Sequence, residues 1–107
     1  MPAASDDLFK TLADPTRRAI FESLVVDGEQ TVRALTDRSG VSQPAASKHL
    51  GVLKLSGLVR DRPEGRSVHY SADPQGLAPL IDWMGFYGAF WRDRFDHLET
   101  LLNRMDQ

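Results

Sequence analysis

The sequence predicts a mainly α-helical domain that carries one small β-hairpin. Three observations lead to this prediction. Apolar residues recur at spacings of three and four along most of the chain. Capping residues, proline and glycine divide that pattern into separate segments. Only residues 58–72 alternate instead with a period of two, so we expect four helices, two strands and a final helix within one domain, residues 1–107.

Two helices are predicted within residues 5–29. Ser5 is the expected cap of the first helix, since its hydroxyl can accept a hydrogen bond from the first turn. Asp14 is the expected cap of the second helix, and Pro15 suits its first position, where no N–H is needed. The apolar positions expected to face the core in this second helix are Ala19, Ile20 and Leu24.

Residues 31–57 have the pattern of two short helices joined by a sharp turn. Thr31 can cap the first of them, and Ser39 with Gly40 can end it, because glycine adopts a positive φ at little cost. Ser42 can cap the second, with Pro44 in its first turn. The apolar stripe expected to face the core consists of Ala46, Leu50 and Leu53. The stretch is therefore predicted to form a helix-turn-helix.

The opposite face of this second helix has the chemistry that a DNA major groove requires. An amide can pair with adenine, small residues allow close approach, and cations contact phosphate. The residues on this face are Gln43, Pro44, Ser47, Lys48, Gly51 and Lys54. We expect Gln43 and Ser47 to read base edges, Pro44 to contact a thymine methyl group, and Lys48 to contact phosphate.

The distribution of charge agrees with a nucleic-acid partner although the net charge is −2. Residues 31–72 contain seven basic and three acidic residues, a net charge of +4, and the remainder of the chain carries −6. The chain has no cysteine, which excludes disulfides and thiolate metal sites. No signal peptide or apolar membrane span is recognisable, so we expect a cytoplasmic protein with no membrane partner.

Residues 58–72 are expected to form a hairpin directly after the helix-turn-helix. The predicted strands are residues 58–62 and 67–71, and the predicted turn is residues 63–66. A hairpin in this position is a wing, from which Arg62 and Arg66 would reach the DNA backbone or the minor groove. The alternative is that these arginines only protect an edge strand against aggregation. For Arg17 and Arg18, near the start of the second helix, solvation and phosphate contact both remain open.

The last helix is predicted over residues 75–105 and is too long for one small domain to cover. Its two apolar sides need two partners, and a second copy across a two-fold axis is the simplest choice for one of them. The expected interface consists of Leu8 from the first helix and of Leu80, Met84, Tyr87, Trp91, Phe95, Leu98 and Leu102. The aromatic residues of this helix either pack in the core and the dimer or line a pocket for an unidentified apolar effector.

The order of elements and three segments resemble the ArsR family of bacterial winged-helix repressors. The segments are LFKTLADPTRRAIFESL, VSQPAASKHLGVLKLSGLV and RPEGRSVHY. The similarity covers nearly the whole chain, and FWRDRFDHLETLL further resembles the non-metal, autorepressor-like branch of the family. The resemblance implies that Ser42, Gln43, Pro44, Ser47 and Lys48 begin or face outward from the recognition helix, and that Arg62 and Arg66 belong to the wing.

The chain departs from the metal-sensing members of that family, which carry a cysteine motif before the recognition helix or His and Asp pairs on the last helix. The corresponding segment here is TVRALTDRSG, without cysteine. Asp93 and His97 share one face of the last helix, so a metal shared across a dimer is conceivable, but a solvated acidic face is the favoured interpretation. We therefore predict no metal and no cofactor.

These observations favour a homodimeric, sequence-specific repressor that binds a double-stranded DNA operator with an inverted repeat. The alternative is a winged-helix module that binds protein and not DNA, which an acidic or apolar face on the recognition helix would favour. Enzymatic activity has little support, because no phosphate-binding glycine loop, nucleophile elbow or catalytic residue pair is recognisable.

Overall fold

The computed structural model describes residues 2–106, with side chains from Ser5 onward. Within these residues the chain forms five α-helices, one short 3₁₀ helix and one three-stranded sheet. The elements are α1 (Pro2–Ala13), α2 (Pro15–Asp27), β1 (Gln30–Thr31), α3 (Val32–Ser39), α4 (Gln43–Leu55), β2 (Val59–Glu64), β3 (Ser67–Ala72), the 3₁₀ helix (Pro74–Leu77) and α5 (Ala78–Met105). The predicted mainly helical fold with a helix-turn-helix and a wing is confirmed.

The core lies where α1, α2, α3, α4 and the wing meet. Its buried residues are Leu8, Ile20, Phe21, Leu24, Leu35, Leu50, Leu53, Leu58 and Val59. Every position of the predicted stripe on α4 is fully buried: Ala46, Leu50 and Leu53. The predicted orientation of the recognition helix is therefore correct.

The helix caps agree with the sequence at three of the predicted positions. Oδ1 of Asp14 accepts from the Arg17 amide at 3.0 Å, which caps α2. Oγ1 of Thr31 accepts from the Ala34 amide at 3.2 Å, and Oγ of Ser42 accepts from the Ala45 amide at 3.3 Å. Gly40 ends α3 with φ at +72°, in the left-handed conformation that the predicted turn requires.

Two predictions about the N-terminal helices are wrong. The first helix begins at Pro2, so Ser5 lies inside it with a buried side chain and does not cap it. Proline suits a first helical turn and alanine is a strong helix former, which explains the earlier start. Ala19 is exposed, whereas Phe21 is buried beside Ile20. The buried stripe of α2 is therefore rotated from Ala19 toward Phe21.

The wing differs from the prediction in its turn. Pro63 and Glu64 belong to β2, and Glu64 lies opposite Ser67, so only Gly65 and Arg66 form the loop. Gly65 has φ at +61°, which a two-residue hairpin loop requires. Proline is tolerated in β2 because this strand lies at the edge of the sheet.

A third strand, β1, was not predicted. It pairs antiparallel with β3, with Gln30 opposite Tyr70 and Thr31 opposite His69, and the strand order is β1-β3-β2. Two residues are too few to show a period of two, so the sequence carries no signal for this strand. Its consequence is that the wing is joined to the start of α3 through backbone hydrogen bonds.

The long C-terminal helix begins later than predicted. A 3₁₀ helix occupies Pro74–Leu77, and α5 then runs for 28 residues from Ala78. At 1.5 Å per residue this is about 42 Å, and the molecule measures 65 × 32 × 22 Å. Within residues 2–106 no helix is both long and apolar enough to cross a membrane. Most of α5 extends beyond the core and leaves its apolar side chains exposed.

Candidate nucleic-acid interface

The outward face of α4 is open along its whole length. Each of the six residues predicted to face outward is exposed: Gln43, Pro44, Ser47, Lys48, Gly51 and Lys54. Ser42 is also exposed, and its hydroxyl caps the helix. The helix thus presents the amide of Gln43 and the hydroxyl of Ser47 near its N-terminal end, the end that enters the groove in helix-turn-helix proteins.

Most of the basic residues between positions 31 and 72 are ion-paired within the chain. Arg38 lies 2.6 Å from Asp27, Lys54 lies 2.8 Å from Asp61, Arg60 lies 3.0 Å from Asp73, and Arg62 lies 2.7 Å from Glu29. The hydrogen bond from Lys54 to Asp61 raises the pKa of Lys54, so this ammonium group is held in its charged form.

Among the described residues, the other three cations of this region make no ion pair: Arg33, Lys48 and Arg66. All three are exposed. Arg33 was not among the predicted site residues, because the sequence shows only a basic residue on the first helix of the helix-turn-helix. A tally of basic residues cannot separate available cations from those that already have a carboxylate partner.

Arg62 is at the centre of a charged cluster in the half of the wing nearer its loop. Its guanidinium group donates to Glu29 at 2.7 Å and to Glu64 at 3.1 Å. Nε2 of His69 lies 3.3 Å from Glu64 and Nδ1 lies 3.9 Å from Glu29. The hydrogen bond from Arg62 lowers the pKa of Glu29, and the two carboxylates raise the pKa of Arg62. Together, Arg62 on β2 and His69 on β3 connect both strands of the wing to Glu29, in the loop before β1.

A groove about 400 Å³ in volume separates the recognition helix from the wing. The start of α3, the outward face of α4 and strand β3 form its walls. Its polar lining residues include Arg33, Gln43, Ser47, Arg66, Ser67 and Tyr70, and no carboxylate of the described residues lines it. Of the predicted DNA-contacting residues, the fold thus brings Gln43, Ser47 and Arg66 together.

The two arginines near the start of α2 have different surroundings. Nε of Arg17 donates to Nδ1 of His49 at 3.5 Å, and Nη2 lies 3.8 Å from Asp14, so this half-buried side chain connects α2 to α4. Nη1 of Arg18 donates to the carbonyl of Leu12 at 2.9 Å. Arg17 is therefore engaged in positioning the recognition helix.

The predicted dimer surface on α5 is exposed in the protomer. Its large exposed residues are Met84, Tyr87, Trp91, Phe95, Leu98 and Leu102. Leu80 is only partly exposed and packs against the core. Leu8 is 3% exposed and belongs to the core, so it has almost no surface left for a partner. Phe9, its neighbour, is exposed and packs edge-on against Trp83 with ring centroids 5.2 Å apart.

Two further hollows lie along α5. One is lined by Trp83, Met84, Tyr87, Gly88 and Trp91, and this is the region considered for an apolar effector. The other is lined by Phe90, Asp93, Arg94 and His97. Within residues 2–106 no group of three or more His, Asp or Glu side chains is placed to hold a metal ion. The guanidinium group of Arg94, over the Phe90 ring at 4.6 Å, adds positive charge beside Asp93 and His97.

Comparison with known proteins agrees with this geometry. A family model described as a helix-turn-helix domain matches residues 12–62. The chain is 33% identical over 79 residues to the transcriptional repressor SdpR of Bacillus subtilis, covering 74% of this chain and 87% of that protein. It is 46% identical over 101 residues to the arsenical resistance operon repressor of Escherichia coli, covering 92% of this chain and 81% of that protein.

A solved structure, described as an ArsR-like transcriptional regulator from Rhodococcus, superposes with a TM-score of 0.72 and 30% sequence identity. The match covers 92% of each chain. This superposition spans the helix-turn-helix and the wing, which carry the open α4 face, and all three proteins are described as transcriptional regulators or repressors. The chain belongs to the ArsR family of helix-turn-helix transcriptional regulators.

Proposed function

We propose that this protein is a transcriptional repressor that binds an inverted-repeat DNA operator as a homodimer. The observation that carries the proposal is the exposed outward face of α4, which has the amide and hydroxyl groups of a base-reading helix. Arg33, Lys48 and Arg66 surround that face without ion-pair partners among the described residues. A DNA operator as the partner supports a cytoplasmic location.

The predicted site residues have different proposed roles. Gln43 and Ser47 read base edges, and Pro44 contacts the methyl group of a thymine. Lys48 and Arg66 contact the phosphate backbone or the adjacent minor groove. Arg62 has a different role from the one expected, because two carboxylates already hold it: it orients the wing. Ser42 contributes the helix cap.

The homodimer is supported by the exposed apolar side of α5. Leu98 is 50% exposed in the protomer, and Tyr87 and Leu102 on the same helix are each 52% exposed. Monomeric soluble proteins rarely expose a large continuous apolar surface. A second copy related by two-fold symmetry would cover it. An inverted repeat then requires the two recognition helices to lie about 34 to 36 Å apart, one turn of DNA. We do not propose an effector in the hollow beside Trp83, because Met84, Tyr87 and Trp91 line that hollow and also belong to the proposed interface.

The test begins with duplexes selected by the wild-type protein from a random pool. The selected DNA should contain an inverted repeat, and sedimentation should show two protomers on each duplex. Gln43→Ala should bind the selected duplex more weakly by about 1 to 3 kcal/mol while random DNA is bound as before. Gln75→Ala removes an exposed glutamine from the 3₁₀ helix and is the matched control, with no expected change.

Two results would contradict the proposal. One is a selection that yields no preferred sequence. The other is an equal loss for Gln43→Ala on selected and random duplexes, which would mean that α4 does not read bases.

A further inference from the structure

The groove between the recognition helix and the wing has the composition of an anion site. Arg33 enters its lining from α3, and Arg66 enters it from the tip of the wing. Hydroxyl groups of Ser47, Ser67 and Tyr70 supply further hydrogen-bond donors. Guanidinium and hydroxyl groups are among the side-chain groups that donate hydrogen bonds to DNA phosphates.

The acidic residues nearest to this groove in the chain do not neutralise its arginines. Glu29 and Glu64 are engaged with Arg62, at 2.7 and 3.1 Å. Asp37 lies one helical turn from Arg33 on α3, but the two make no ion pair within the described part of the chain. Because Glu29 and Glu64 pair with Arg62, they do not neutralise the positive charges of Arg33 and Arg66.

The groove is also connected to two base-reading side chains. Gln43 and Ser47 line it and lie on the outward face of α4. Pairing of β1 with β3 joins the start of α3 to the wing. Arg33 follows β1 by two residues and Arg66 directly precedes β3, so both are attached to neighbouring strands of one sheet. An anion between them would be held next to the residues that enter the major groove.

We propose that Arg33 and Arg66 together bind one phosphate of the DNA backbone in this groove. This inference rests on the proposed DNA-binding function and adds a site to it. The helix-turn-helix and the wing then hold the same strand at a common point, which sets the depth and angle at which α4 enters the groove. Arg33 is then a DNA-binding residue, and it contacts the same phosphate as Arg66.

The first measurement is the salt dependence of binding to the selected duplex and to a random duplex. Arg33→Gln should weaken both and should reduce the slope of log K against log salt by about 1. Arg33→Lys keeps the charge, so the slope should be largely retained. Arg38→Gln is the matched control on the same helix, since Arg38 is paired with Asp27 and does not line the groove. It should leave the slope unchanged.

The second measurement identifies the phosphate. Single phosphates of the selected duplex are replaced in turn by neutral methylphosphonates. At one position, the replacement should weaken binding of the wild type but have no further effect on Arg33→Gln, Arg66→Gln or the double variant. The losses of the two single variants on unmodified DNA should accordingly not add.

The possible outcomes separate this inference from the proposed function. Additive losses that map to two different phosphates, or an unchanged slope for Arg33→Gln, would overturn the shared site while wild-type binding to the selected duplex still supports the function. Failure of the wild type to bind any duplex would overturn both. If inorganic phosphate shifts the NMR signals of the Arg33 and Arg66 side chains but Arg33→Gln binds DNA normally, the groove binds a free anion and the DNA assignment is wrong.

Discussion

Arg62 and Arg66 lie on the same hairpin, but their electrostatic surroundings are opposite. Arg62 donates to Glu29 at 2.7 Å and to Glu64 at 3.1 Å, whereas Arg66, in the loop at the tip, makes no ion pair among the described residues. The first arginine is therefore bound to its own protein, and the second is available to a partner. The sequence predicts a DNA contact for both arginines, and the fold distinguishes them.

Arg62→Gln and Arg66→Gln should weaken DNA binding in different ways. Arg66→Gln removes a cation from the interface, so the salt slope should fall by about 1. Arg62→Gln leaves Glu29 and Glu64 without their cation beside the DNA, so affinity should fall through repulsion and loss of wing orientation. Adding Glu29→Gln to Arg62→Gln should recover part of that loss. No recovery in this double variant, measured by fluorescence anisotropy, would contradict repulsion by the unpaired Glu29 as a cause of the loss.

Glu29 should make stability depend on pH in the acid range. Its pKa is lowered in the folded protein, chiefly by the hydrogen bond from Arg62. A group with a depressed folded pKa stabilises the protein above its unfolded pKa, about 4.3 for glutamate, and this contribution is lost as the pH falls through the lower folded value. Glu29→Gln should therefore lose stability at pH 7 relative to the wild type and become equal to it in strong acid.

Urea unfolding at a series of pH values measures this effect. Glu22→Gln, an exposed change on α2, is the control and should follow the wild-type curve. A constant difference between Glu29→Gln and the wild type across the whole pH range would show that the ion pair with Arg62 does not contribute.

Gly76→Ala should destabilise the fold strongly. A Cβ atom at this position would overlap the backbone carbonyl of Gly57, and Leu58 Cδ2 would lie 3.2 Å away, so the backbone must shift. We expect a loss of about 1 to 3 kcal/mol, the usual range for overpacking. Gly51→Ala is the matched control, because a Cβ there meets open space within α4 and should stabilise the helix by about 0.5 to 1 kcal/mol. Thermal unfolding of both variants decides this, and equal melting temperatures would contradict the close approach at Gly76.

Leu98→Asp should convert the proposed homodimer to a monomer. Leu98 is exposed in the protomer, so the change should not disturb its core, but a carboxylate would lie in the apolar interface without a partner. Leu55→Asp places the same charge on α4, where the side chain is 91% exposed, and should leave the dimer intact. Sedimentation velocity measures both. If Leu98→Asp sediments like the wild type, this face of α5 is not part of the interface.

The parts of the fold that could be predicted are those that depend on neighbouring residues. Asp14, Thr31 and Ser42 cap their helices because a cap acts within three residues. The buried stripe on α4 follows from the helical period alone. Ser5 was misassigned because the local pattern allowed two helix starts, and β1 was missed because two residues form a strand only when β3 is beside them.

The sequence by itself determined the order of the helices, the wing, the face that α4 presents outward and the membership of the family, because each depends on local periods, caps and short motifs. Only the tertiary structure decided which cations are available to DNA. Arg62 and Glu29 are 33 positions apart in the chain, and Arg60 and Asp73 are 13 apart. Ion pairs of this kind arise when the folded chain brings distant residues together, so Arg33 and Arg66 could be distinguished from their paired neighbours only in the fold.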